Sequence, residues 1–141
     1  MNGSHVLCAL AATFALSLSA QIAKPPLKIL VGYPPGGSAD VIARQIASRM
    51  SAGLDGQSVV VENKPGAAGR IAIDALKNAA PDGSTAIVMP SGPVVLFPHV
   101  YKKLNYDLVK DLTPISQLAS FQFCIVSGPK TNVKSMAEMR A

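Results

Sequence analysis

Residues 27–90 read LKILVGYPPGGSADVIARQIASRMSAGLDGQSVVVENKPGAAGRIAIDALKNAAPDGSTAIVMP, and their rhythm decides the fold. Three short apolar runs, at 27–34, 57–63 and 84–90, each end in a proline- or glycine-bearing turn, the pattern of buried strands. The middle run is β-branched through Val59, Val60 and Val61, which suits a pleated surface. Between the first two runs, Ile42, Ile46 and Met50 recur every fourth residue, the stripe of an amphipathic helix. Ser38 is the expected N-cap of that helix, and Asp40 falls in its first turn, where negative charge suits the helix dipole. Gly53 and Gly56 supply its stop. The second interval predicts a helix over RIAIDALKNAA with Ile71, Ala75 and Ala79 on one face, closed by the turn Pro81-Asp82-Gly83. A strand–helix–strand–helix–strand order predicts an α/β fold with a parallel sheet.

The pattern loosens beyond Ser91. GPVVLFPHVYKK reads as a short helix or as irregular chain. LTPISQLASFQFCIVSGP predicts an extended strand with a bend, with Cys124 as a small buried hydrophobe, and VKSMAEMRA opens another helix. That helix starts as the sequence stops, so the pattern implies an incomplete protein. At the other end, residues 6–20 read VLCALAATFALSLSA, apolar then small, as in a secretory leader. The competing reading is a buried or anchoring helix, for which the run is short. The expected organisation is a cleaved signal peptide over 1–20, export, and one lobe over 21–141. With Cys8 in the leader, Cys124 is left without an intramolecular partner.

Composition narrows the function. Of 141 residues, 49% are apolar and 15% charged, which excludes a disordered chain. The net charge of +5 is scattered, Trp is absent and aromatics are 5%, so a stacking surface for nucleic acid is not expected. His99 is the one histidine beyond the leader, which leaves little material for a metal cluster or a Ser/His/Asp triad. Residues 32–38 spell G-x-x-x-x-G-S without the lysine of a phosphate-binding P-loop. Ser127-Gly128-Pro129-Lys130 matches S-x-x-K without that motif's partner sequences. No cofactor, catalytic residue or metal site is expected.

What remains is a binder. In an open parallel sheet, ligands sit outside the carboxyl ends of the strands. Those ends carry Tyr33 to Ser38, then Asn63 to Gly69, then Pro90 to Pro93. Glycines allow close backbone approach, and helix N-termini offer unpaired N–H groups, so the edge suits a carboxylate or phosphate.

The fragments YPPGGSADVIAR, VVVENKPGAAGRIA, AAPDGSTAIVMPSG and PHVYKKLNYDLVKDLTPIS, in this order and spacing, resemble the substrate-binding proteins of tripartite tricarboxylate transporters, the Bug family of extracytoplasmic solute receptors. The resemblance runs from about Lys28 to the C-terminus. It implies a lobe of the type II periplasmic-binding-protein fold, with the second lobe missing. It also implies a non-enzymatic periplasmic receptor that captures di- or tricarboxylates or related organic acids. Its partners are then the carboxylate and the membrane components of the transporter, not nucleic acid. The matching ligand positions are Tyr33, Gly36, Gly37 and Ser38; Gly66, Ala67, Ala68 and Gly69; and Ser91 and Gly92. Asp40 would repel a carboxylate and is assigned to ordering the loop. Relatives often carry glycine at the position of Ala68 and asparagine at that of Arg70; Arg70 either reaches the ligand or faces water. Two other readings compete: an exported α/β hydrolase-like enzyme whose Ser or Cys acts at a strand end, as Ser38 or Ser91 with His99 as base would, and a non-binding truncated relic.

Overall fold

The computed structural model describes residues 24–131, 133 and 135–139. The leader assigned to 1–20 lies outside them. Strand β1 (Leu27–Val31) is central, pairing in parallel with β2 (Val59–Asn63) on one side and β3 (Thr85–Val88) on the other, in the order β2-β1-β3. Register places Val31 beside both Asn63 and Val88, so the three strands end at one level. Helix α1 (Ser38–Gly53) joins β1 to β2, and α2 (Arg70–Lys77), entered through a single 3-10 turn at Ala67–Gly69, joins β2 to β3. This is the α/β architecture with a parallel sheet that the sequence predicts.

Side chains alternate across a strand, so β1 serves both faces. Ile29 and Val31 pack with Ala39, Ala43 and Ala47 of α1. Leu30 and Gly32 lie on the other face, where Gly32 meets Ala72 of α2. There α2 covers β1 and β3 and leaves Val60 of β2 47% exposed.

Both helices are rotated relative to the sequence expectation. In α1 the buried row is Ala39, Ala43 and Ala47, while Ile42 and Ile46 are half-buried on its flank and Met50 is exposed. The alanine row has the same four-residue spacing, one residue out of phase. Its small side chains let the helix backbone approach the sheet, an advantage that hydrophobicity does not register. In α2 the buried residues are Ala72 and Ile73; Ile71 is 50% exposed, and Ala79 lies beyond the helix end at Lys77. The turn feeding α2 sets its rotation, and Ile71 folds back over Gly66, where its Cδ1 would stand 2.5 Å from an added Cβ.

After β3 come two one-turn helices, α3 (Gly92–Val95) and α4 (Phe97–Val100), each with proline in its first turn. Tyr106, 6% exposed, anchors them: its hydroxyl donates to the Pro93 carbonyl at 2.6 Å, and burial raises its phenol pKa. Tyr106→Phe leaves that buried carbonyl unpaired and should cost about 1–3 kcal/mol, read as a lower urea midpoint at unchanged slope.

The expected strand over 112–129 does not form. The segment takes no regular structure and pairs with no strand among the described residues. Phe123 is 92% exposed, and Cys124 is exposed as a free thiol, not buried. An apolar run states that its side chains want burial but supplies no neighbour for the backbone ladder. The closing helix α5 (Met136–Met139) is present.

Candidate functional site at the carboxyl edge of the sheet

Three loops leave the sheet at this edge. In the first, residues 34–38 are exposed and Tyr33 is half-buried. The residue capping α1 is Gly37, with no side-chain hydrogen bond, and Ser38 is already helical, which corrects its assignment as N-cap. The loop is ordered instead by Asp40, one turn into the helix and only 3% exposed. Its Oδ2 accepts from the Gly36 N–H at 2.9 Å, and its Oδ1 accepts from Asn63 Nδ2 at 2.9 Å. Arg44 Nε donates to both oxygens, at 3.1 and 3.0 Å. Asn63 Nδ2 also donates to the Tyr33 carbonyl, and Arg44 Nη2 to Asn63 Oδ1.

This network joins the first loop to the end of β2 and neutralises the acid. The Arg44 hydrogen bonds, followed by those from Gly36 and Asn63, hold the Asp40 carboxyl well below the usual carboxylate range. The loop-ordering role expected for Asp40 is what the geometry gives it. Its partners had unequal visibility. The Asp40–Arg44 pair is an i,i+4 spacing that the sequence displays. Asn63, 23 residues from Asp40, has no local signature.

In the second loop, Gly66, Ala67, Ala68 and Gly69 have φ of 132°, 48°, 55° and 90°. Gly66, Ala67 and Ala68 are exposed and Gly69 is buried. The left-handed conformation at Ala68 gives a steric reason for glycine to suit that position. Tyr33 bridges the two loops: its hydroxyl donates to the Ala68 carbonyl at 3.3 Å, and its ring packs on Gly69. Arg70 neither reaches out of the loop nor faces water alone. Its Nε donates to the Ala67 carbonyl at 2.9 Å, and its guanidinium lies 4.5 Å from the Tyr101 ring centroid. In the third loop, Ser91 is exposed at the start of α3 with its carbonyl engaged by Val94 and Val95, and Gly92 is half-buried. Tyr33 and Asp40 thus bring the first two loops into contact, while the third shares their level through strand register.

An open cleft of about 410 Å³ lies elsewhere, between α2 and residues 103–105, and touches this edge at Ala67. In its lining, Asp74 accepts from Asn105 and Arg70 Nε donates to Ala67. Neither Ser38 nor Ser91 is hydrogen-bonded to His99, which is exposed. In the S-x-x-K stretch, the Ser127 hydroxyl donates to the Val133 carbonyl. Among the described residues, no group of three His, Cys, Asp or Glu could hold a metal ion, and no helix is long and apolar enough to cross a membrane.

The described residues form an α/β unit whose glycine-bearing turns gather at the carboxyl edge of a parallel sheet. Comparison with known proteins makes this specific: residues 42–141 match the tripartite tricarboxylate transporter family receptor profile, and the chain belongs to that family. It is 39% identical over 136 residues to the UPF0065 protein in the gbd 5' region of Cupriavidus necator, covering 91% of this chain and 41% of that one. It is 36% identical over 112 residues to the protein BugT of Bordetella pertussis, covering 79% and 34%. The chain therefore spans between a third and two fifths of the length of these relatives. Among solved structures, it aligns with the periplasmic binding protein BugD at TM-score 0.43 and 39% identity, over 45% of this chain and 21% of that one. MatC from Rhodopseudomonas palustris, solved with bound malate, aligns at TM-score 0.42 and 38% identity over the same shares.

Proposed function

We propose that this chain supplies one wall of a periplasmic receptor for small carboxylates, di- or tricarboxylates or related organic acids, which it delivers to the membrane components of a tripartite tricarboxylate transporter. In this reading residues 1–20 are the export leader. The ligand carboxylate sits at the start of α1, against Gly36, Gly37 and Ser38, with Gly66, Ala67, Ala68, Ser91 and Gly92 around it. Tyr33 and the buried Gly69 shape the wall.

The observation that carries this reading is the state of Asp40. An acid in the first turn of the helix that receives an anion would oppose binding. Here it is turned inward, fully hydrogen-bonded and paired with Arg44, so its charge is matched before a ligand arrives. The N–H groups opening α1, with the positive end of its dipole, then face the loop region without a competing free carboxylate. The reaction is capture and release, and no bond is made or broken.

A thermal-shift screen of residues 21–141 against organic acids, with amino acids as controls, tests the proposal. A ligand at 100 times its dissociation constant adds about 2.7 kcal/mol, which raises the midpoint by several degrees. A selective shift with a di- or tricarboxylate is expected. A cooperative transition that no carboxylate moves would refute carboxylate capture by this chain, and the absence of any transition would identify a non-binding relic.

A further inference from the structure

The turn that feeds α2 is built against the preferences of its own residues. Gly66 and Gly69 adopt positive φ freely, but Ala67 and Ala68, at 48° and 55°, lie where a Cβ crowds the following carbonyl. Two side chains from outside the turn hold it there. Tyr33 donates to the Ala68 carbonyl at 3.3 Å. The Ala67 carbonyl accepts from the Arg70 backbone N–H and, at 2.9 Å, also from Arg70 Nε, while the guanidinium stacks over Tyr101 at 4.5 Å. Tyr101 is itself set edge-on against Phe97 of α4, with ring centroids 5.0 Å apart. Arg70 makes no salt bridge among the described residues; its Nε is engaged by the turn and its guanidinium plane by the ring.

We infer that Arg70 is a positioning residue: braced on Tyr101, it holds Ala67 and Ala68 in the left-handed conformation and thereby presets the second ligand loop, without touching the ligand. This rests on the carboxylate-receptor reading for its functional consequence, though not for the clamp itself. Two links follow. The loop's shape becomes dependent on α4, which follows the third loop, so the second and third loops move together. The clamp is also needed only because positions 67 and 68 are alanine; glycine there would adopt the same turn unaided.

That last link supplies a test that a direct ligand contact or a merely structural role would fail. The turn is closed by the Gly69 N–H donating to the Gly66 carbonyl at 3.0 Å, so hydrogen exchange at Gly69 reports its opening. Arg70→Met keeps the aliphatic stem and removes both the donor and the charge. In the full chain it should speed Gly69 exchange about tenfold and weaken citrate or succinate binding by a similar factor, while Ala67→Gly/Ala68→Gly added to it should restore both to within about twofold. If the glycines restore exchange but not affinity, and the same two glycines placed in the wild-type chain leave affinity intact, Arg70 contacts the ligand and the inference is overturned. It is equally overturned if Arg70→Met leaves Gly69 exchange unchanged. If the wild-type chain binds neither acid, the exchange data alone decide: tenfold acceleration with glycine rescue upholds the clamp while the carboxylate reading fails.

Discussion

Replacing Gly32 with alanine should lower the melting temperature by more than about 10 °C, equivalent to about 3 kcal/mol in a chain of this size. Gly32 follows β1 and is buried where the strand end, the second loop and α2 converge. A Cβ there would stand 2.6 Å from Gly69 Cα, 3.0 Å from Gly69 O and 3.3 Å from Ala72 Cβ. The two nearest atoms are backbone, so no rotamer change relieves the contact. Either β1 or the whole entry to α2 must shift. Because Gly69 also packs against Tyr33, that shift separates the first two loops. Any carboxylate-induced stabilisation should therefore vanish along with the lost stability. Circular dichroism melts with and without ligand check both effects, and a melting temperature within a few degrees of wild type would mean that this close approach is not the pivot of the fold.

Substituting Asp40 should have the next largest effect, and its pH dependence identifies the cause. The carboxyl's folded-state pKa is depressed, by Arg44 first and then by Gly36 and Asn63. A group with a depressed folded pKa contributes stability above its unfolded value, near pH 4, and loses that contribution as pH falls below it. Asp40→Asn should therefore melt several degrees lower than wild type at pH 7, and the gap should narrow steadily below pH 4. Hydrogen exchange at Gly36, whose amide loses its acceptor charge, should quicken at neutral pH. A gap between the two melting temperatures that stays constant from pH 7 to pH 2 would show that shape, not the paired charge, is what Asp40 contributes.

The three strands were legible because Leu27–Val31, Val59–Asn63 and Thr85–Val88 are short, largely apolar runs followed by turn residues, and parallel pairing follows once helices lie between them. The phase of those helices was not legible. Ala39, Ala43 and Ala47 carry little hydrophobic signal, yet they form the buried row because closeness to β1 outweighs side-chain size. Cys124 was misplaced for a related reason: the run around it is apolar like a buried strand, but apolar character names no partner, and none of the described strands pairs with it.

At the site, the glycine-bearing loops and the Asp40–Arg44 spacing were readable locally. The Tyr33–Ala68 bridge spans 35 residues and the Asp40–Asn63 bond 23, so both depend on strand register. The left-handed backbone at Ala67 and Ala68 contradicts alanine's own preference; it is imposed by the two glycines that bracket it and by the contacts of Tyr33 and Arg70.

The central claim is that the strand-end loops form a single carboxylate seat. The most direct measurement is an NMR titration of the isotopically labelled chain with citrate and succinate, followed at backbone amides. The account predicts that the largest shifts gather at Gly36–Ala39, Gly66–Ala68 and Ser91–Gly92, and that all follow one binding curve. Shifts centred on Arg70, Asp74 and Lys103 would place the anion in the cleft beside α2 and contradict the claim. So would a folded chain whose loop amides do not respond to either acid.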